Sequence, residues 1–198
     1  MDEWFNIVVR QLILYSLPLL VSLTLVAAVE ARAFGVKIPH AFYAISWKGC
    51  WVPFFAALFL HRGVIVALPN PVSRGIRPAA LRLGMHLLLC VIGFLLYAWS
   101  LSHQAPSGLP PLHHWWAKVL MFFNLCMVAL HLLPIPLLLL GELAVRTPWL
   151  RALPKGGSLP WIVLAVLVAT PLIDLSIGAL VIYPVYEWLS SLAMQLSG

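Results

Sequence analysis

The chain has 198 residues, of which 63% are hydrophobic and only 9% are charged, and its mean hydropathy is +0.99. Soluble domains carry about 25% charged residues, so this composition excludes a soluble globular protein and predicts an integral membrane protein. Basic loops that face anionic lipid explain the formal net charge of +6. We therefore predict membrane lipid as a partner and no nucleic acid.

Four apolar segments are long enough to cross a bilayer as helices, since each span needs about 20 residues. They are residues 7–29, 79–101, 115–145 and 161–183. Their apolar residues are continuous rather than alternating, which predicts an all-α polytopic membrane protein with residues 1–198 in a single domain. We expect the first helix to be retained as an anchor, because Asp2 and Glu3 replace the basic start of a signal peptide. At its other end we expect Glu30 and Arg32 to snorkel towards water.

A fifth apolar stretch, residues 41–60, is interrupted by Lys48 and Pro53. Together with the strand-like letters GVIVAL that follow, it forms an ambiguous element over residues 41–68. If this element crossed the membrane once, the basic residues before it would lie opposite those after it. We therefore predict a re-entrant, interfacial or β-like cytoplasmic element, or a hairpin that returns to the same side.

Basic residues are concentrated in two loops, residues 32–77 and 146–158. Because basic loops stay on the cytoplasmic side, both loops are predicted to be cytoplasmic, with both termini outside. The compact chain and this charge pattern predict a multi-pass protein of the bacterial inner membrane.

Two prolines interrupt the third predicted span, where residues 131–143 read HLLPIPLLLLGEL. Proline removes a backbone donor and breaks a helix, so Pro134 and Pro136 predict irregular backbone at bilayer depth. Such backbone is tolerated only against protein or a water-filled cavity. We expect His131 to donate a hydrogen bond to a carbonyl that the prolines leave free.

This proline segment resembles the NxxPxPxLDG-type segment of site-2 proteases, the intramembrane zinc metalloproteases. Residues 25–39, LVAAVEARAFGVKIP, resemble the sequence that follows the HExxH helix of that family. Residues 75–89, GIRPAALRLGMHLLL, resemble the start of the family's middle core helix. The resemblance covers residues 20–143 and implies a site-2-protease-like core, with the family's metal site towards the cytoplasm.

The resemblance places hydrophobic residues where the family has its zinc ligands. Leu23, Thr24 and Ala27 stand at the positions of His, Glu and His, and Leu139 stands at the position of the third ligand, an aspartate. A zincin site needs two histidines four residues apart, a glutamate as general base and a third ligand. We therefore predict no catalytic residue, no metal ligand and no resident cofactor, so the resemblance implies a pseudoprotease.

The predicted function is binding rather than catalysis. A protease core that keeps its broken helix keeps a groove that accepts another transmembrane helix or lipid. This predicts a non-catalytic accessory, assembly or scaffold subunit of a larger membrane complex. The partner-binding candidates are His131, Pro134, Pro136 and Glu142.

Two alternatives remain open at the sequence level. His86 and His131 could ligate haem b in a haem- or quinone-binding subunit of an electron-transfer complex. A metalloenzyme could instead use His86, His131 or Glu142 as relocated ligands. Metal analysis and an absorbance spectrum separate these alternatives from a subunit without a cofactor.

Overall fold

A computed structural model describes residues 2–37, 52–60, 62–68, 73–103, 109–144 and 159–197, and within these ranges the chain is helical and has no strand. The helices are α1 (Asp2–Ala33), α2 (Val52–Phe59), α3 (Ile76–Ser102), α4 (Leu112–Leu130), α5 (Leu139–Ala144), α6 (Leu159–Ala169), a π-helical segment (Asp174–Ile182) and α7 (Tyr183–Ser197). The prediction of a helical membrane protein is confirmed for the fold class.

Three stretches of helix in the described ranges are long and apolar enough to cross a membrane. They are Glu3–Ala33, Ile76–Ser102 and Asp174–Ser197. Four spans were predicted from the sequence, and the difference lies in the second half of the chain. There, α4 lies in the predicted third span and has 19 residues, but it is not among the three, and the predicted fourth span is divided into α6 and the continuous helix that starts at Asp174.

Prolines account for both interruptions. A proline lacks the backbone N–H, and its ring collides with the carbonyl four residues earlier. Pro134 is four residues beyond Leu130, where α4 ends, and Pro171 follows directly on the bend at Thr170 that ends α6. The predicted break at the proline segment is therefore confirmed, whereas the division of the last segment was not predicted.

Helix α4 lies at the centre of the fold and packs against both α1 and α3. Its core side chains, including Met121, Phe123 and Cys126, are fully buried. A glycine brings α3 close to it, because a Cβ at Gly93 would lie 2.5 Å from the backbone nitrogen of Met121. Small residues allow such close approach of helix backbones in membrane proteins.

The end of α2 and the start of the described range 73–103, at Ser73, contact opposite ends of α1. Phe59 stacks on Trp4, with ring centroids 5.6 Å apart, whereas the backbone N–H of Ser73 donates to Glu30 Oε1 at 3.1 Å. Trp4 and Glu30 are about 39 Å apart along α1 at 1.5 Å per residue. Between them, residues 64–68 are extended and at most 2% exposed.

The form of the ambiguous element, which was predicted as re-entrant, interfacial, β-like or a hairpin, stays a prediction. Ala33 and Ser73 lie at one end of α1, and Phe59 lies at the other. The strand-like residues 64–68 are extended but belong to no strand in the described part of the chain. Residues 38–51, which carry the rest of the prediction, lie outside the described residues.

Polar side chains fix the extended segment against the last helices. Arg62 donates to the carbonyls of Val168 and Ala169, at 3.1 and 2.7 Å, and so caps the end of α6, where carbonyls have no partner within the helix. The backbone N–H of Val64 donates to Asp174 Oδ1 at 2.8 Å. The Tyr183 hydroxyl donates to the same oxygen at 2.9 Å.

Candidate binding site at the proline segment

The chain between α4 and α5, residues 131–138, folds back on itself. The N–H of Leu140 donates to the carbonyl of His131 at 3.2 Å, and the N–H of Leu138 donates to the carbonyl of Ile135 at 3.1 Å. Leu137 has a φ of 81°, a left-handed conformation that residues other than glycine rarely adopt. Gly141 packs so closely on the Ile135 carbonyl that there is no room for a Cβ.

Side chains from inside the protein satisfy the backbone of Leu137. Its N–H donates to Glu142 Oε1 at 3.1 Å, and its carbonyl accepts from Arg82 Nη2 at 2.6 Å. The other terminal nitrogen of Arg82, Nη1, forms an ion pair with Glu30 Oε1 at 2.6 Å. We call these four residues the arginine clamp.

The arginine clamp corrects the expectation for Glu30. Glu30 does not snorkel towards water, because it is 1% exposed and its partner Arg82 is 0% exposed. Buried charges of this kind are stable only when they are paired and hydrogen-bonded. The clamp therefore connects α1 and α3 to the proline segment. It provides hydrogen-bond partners for the N–H and the carbonyl of Leu137 without a ligand.

A second polar cluster lies beside the clamp and centres on Asn124 of α4. Its Oδ1 accepts from Ser22 Oγ at 2.6 Å and contacts His86 Nδ1 at 2.8 Å. Its Nδ2 donates to the carbonyl of Leu120 at 2.8 Å, which fixes the orientation of the amide. Because the amide oxygen can only accept, Nδ1 of His86 must carry the proton, and Nε2 of the neutral ring carries a lone pair.

The neighbouring ring of His131 has the opposite arrangement. Its Nδ1 accepts from the N–H of Leu139 at 3.1 Å, so Nε2 of the neutral ring carries the proton. The expectation that His131 donates to a freed carbonyl is thus corrected, since it accepts from a freed N–H. The centroids of His86 and His131 are 6.2 Å apart, and both Nε2 atoms are buried without a partner among the described residues.

These tautomers decide what the histidine pair can bind. A metal ion held by both rings needs a lone pair on both Nε2 atoms. A lone pair on Nε2 of His131 would require its proton to be on Nδ1. That proton would then point at the N–H of Leu139, which is also a donor. The pair therefore does not fit a shared metal ion or the axial ligation of haem, whereas one lone pair and one N–H fit a water or a hydroxyl group.

The structure describes all the positions at which the resemblance expects the zinc site of the family. Leu23 and Ala27 are buried on one face of α1, and Leu139 begins α5. Thr24 donates its hydroxyl to the carbonyl of Leu20 in its own helix at 2.6 Å. The described residues contain no group of three His, Cys, Asp or Glu side chains that could hold a metal ion. The side chains at these positions therefore do not fit the zinc ion that active site-2 proteases bind.

The partner-binding candidates are divided between the interior and the surface. His131 is buried at 1% exposure and belongs to the histidine pair, while Pro136 and Glu142 are half-buried. Pro134 is exposed. The exposed residues of this region, which we call the outer face, are Leu132, Pro134, Leu140 and Leu143.

Sequence reasoning did not single out Ser22 or Asn124, and it did not pair Glu30 with Arg82. Asn124 carried a usable signal, because a polar residue inside an apolar span is a candidate for function. Ser22 carried none, since a serine within a helix can bond to its own backbone.

Comparison of the chain with protein-family models, with curated proteins and with solved structures finds no match. The relationship to site-2 proteases therefore stays a prediction that rests on three sequence segments.

Proposed function

We propose that this chain is a non-catalytic, site-2-protease-like subunit of a larger membrane complex, and that its outer face binds a transmembrane helix of another subunit. The proposal rests on the resemblance over residues 20–143 and on the apolar replacements at Leu23, Ala27 and Leu139. Its setting is the bacterial inner membrane, with the basic loops 32–77 and 146–158 in the cytoplasm.

The observation that supports this proposal most is that the polar groups of the proline segment point into the protein and leave an apolar outer face. Its irregular backbone bonds inwards to Arg82, Glu142 and His131. Its exposed side chains are apolar, and Leu132 is 57% exposed. Helices associate in membranes through close van der Waals packing, for which a rigid apolar surface is suited. The clamp holds that surface in shape before any partner arrives, which lowers the entropic cost of binding.

Site-specific photo-crosslinking in native membranes tests the proposal. A benzophenone amino acid replaces Leu132 on the outer face, and the matched control replaces Leu95 on α3, because both side chains are 57% exposed. We expect a discrete protein adduct at Leu132, which mass spectrometry then identifies, and only lipid adducts at Leu95. The same adducts at both positions, or no protein adduct at Leu132, would contradict a specific partner.

The alternative functions, a haem- or quinone-binding electron-transfer subunit and a metalloenzyme with relocated ligands, draw on the closeness of His86 and His131. The tautomers of His86 and His131 disfavour both functions when they require the two rings as joint ligands. A Soret band, or stoichiometric zinc or iron in protein purified from its native membrane, would replace the proposed function with one of these alternatives.

A further inference from the structure

Lys118 of α4 lies in an unusual environment on the side of the helix bundle that faces α7. Its Nζ is 5.8 Å from the ring centroid of Tyr97, 5.7 Å from that of Trp115 and 5.9 Å from that of Tyr186. The side chain is half-buried. No carboxylate pairs with it among the described residues, in which the ion pair found is that of Arg82 with Glu30.

A second cation shares one of these rings. The guanidinium carbon of Arg10 lies 5.8 Å from the centroid of Trp115, and Arg10 also has no acidic partner in the described part of the chain. Cation–π contacts compensate only part of the cost of an unpaired charge at the half-buried Lys118, whereas Arg10 is exposed. Two unpaired cations around Trp115 thus leave a local excess of positive charge.

A cavity of about 300 Å³ opens beside the ammonium group of Lys118. Tyr15 of α1, Phe122 of α4, and Tyr183 and Tyr186 from α7 line it together with Lys118. The Tyr183 hydroxyl is already engaged with Asp174, whereas no hydrogen bond of the Tyr15 hydroxyl is found among the described residues. The cavity therefore combines aromatic walls with the cation of Lys118 and the hydroxyl of Tyr15.

Asp174 is an acid close to this cavity, because its Oδ1 lies 3.4 Å from the position of a Cβ at Gly63, which lines the cavity. Its Oδ1 accepts hydrogen bonds from the N–H of Val64 at 2.8 Å and from the hydroxyl of Tyr183 at 2.9 Å. The carboxylate thus has donors of its own, and it does not line the cavity. The charge that faces the cavity is that of Lys118.

We infer that this cavity binds the anionic head of a membrane amphiphile, either a carboxylate or a phosphate, with Lys118 as its counter-charge and the Tyr15 hydroxyl as a donor. The aromatic walls pack against the adjoining part of the lipid. The competing explanation is a lysine that snorkels to the membrane surface. Such a lysine would attract anionic lipid in general but would not retain one molecule in a defined place.

Native mass spectrometry of the full chain, released from nanodiscs, tests this inference. One set of nanodiscs contains phosphatidylcholine with phosphatidylglycerol, and another contains phosphatidylcholine with oleate. We expect one retained anionic molecule per chain, and about tenfold weaker retention in Lys118→Met, which corresponds to roughly 1.4 kcal/mol. Retention of phosphatidylglycerol assigns a phosphate ligand, and retention of oleate assigns a carboxylate.

Three further variants make the result specific. Lys37→Met removes an exposed lysine at the far end of α1, and we expect it to leave retention unchanged. Lys118→Arg keeps the charge and is expected to keep the ligand, while Tyr15→Phe keeps the charge and is expected to weaken retention. The inference is overturned if wild-type protein retains neither amphiphile, if Lys118→Met retains it as well as wild type does, or if Lys37→Met loses it equally.

Discussion

Arg82 and Glu30 form a buried ion pair in which Nη1 and Oε1 are 2.6 Å apart, and this pair connects the beginning of α3 to the end of α1. The same arginine reaches the carbonyl of Leu137 through its other terminal nitrogen. One side chain therefore determines how two spanning helices and the proline segment meet.

Removal of one charge from this pair should destabilise the protein far more than removal of both. Arg82→Met leaves Glu30 buried without its counter-charge, at an expected cost of about 3–5 kcal/mol. The double variant Arg82→Met with Glu30→Leu removes both charges and should recover much of that loss. Thermal unfolding in detergent measures both variants, and equal stabilities for the single and double variants would contradict the pairing.

The fold of the proline segment predicts a contrast between two glycines. A Cβ at Gly141 would collide with the Ile135 carbonyl, whereas nothing lies within 4 Å of a Cβ at Gly84. Gly141→Ala should therefore lower the unfolding temperature. Gly84→Ala, in the middle of α3, should leave the stability unchanged or raise the free energy of unfolding by up to about 1 kcal/mol. If Gly141→Ala is as stable as Gly84→Ala, the close packing of Gly141 on the Ile135 carbonyl is contradicted.

The tautomer of His131 predicts which substitutions this position tolerates. His131→Leu removes the acceptor for the N–H of Leu139 and leaves that part-buried donor without its partner, at an expected cost of about 1 kcal/mol. His131→Asn offers a carbonyl oxygen to the same N–H and should cost less, and asparagine is the residue that the resemblance to site-2 proteases expects there. The unfolding temperatures of the two variants should differ in this order, and the reverse order would contradict the assignment.

Composition and proline positions predicted the class of the protein and the place where α4 breaks, because both depend on local chemistry. The pairing of Glu30 with Arg82 was not predictable in this way, since the two residues are 52 positions apart and the expectation of snorkelling treated each charge alone. The residues 64–68 read as strand-like because they are apolar and β-branched. Their burial as a single extended segment depends on packing that no local pattern encodes.

The same distinction applies to the candidate site. His131 and Pro134 were named from the proline motif, but the structure places one inside and the other outside. Which side of an irregular segment faces the core depends on the clamp that holds it. The prediction that Leu23, Ala27 and Leu139 replace zinc ligands rests on the resemblance to site-2 proteases and stays a prediction.

Zinc analysis of the wild-type chain beside a variant with introduced ligands tests most directly the proposal that this chain has a site-2-protease-like core without the metal site. The variant combines Leu23→His, Ala27→His and Leu139→Asp, which introduces the ligand types that such a site needs. The account predicts no stoichiometric zinc in the wild-type protein and one zinc ion per chain in the variant. Stoichiometric zinc in the wild type, or a folded variant that binds none, would contradict it.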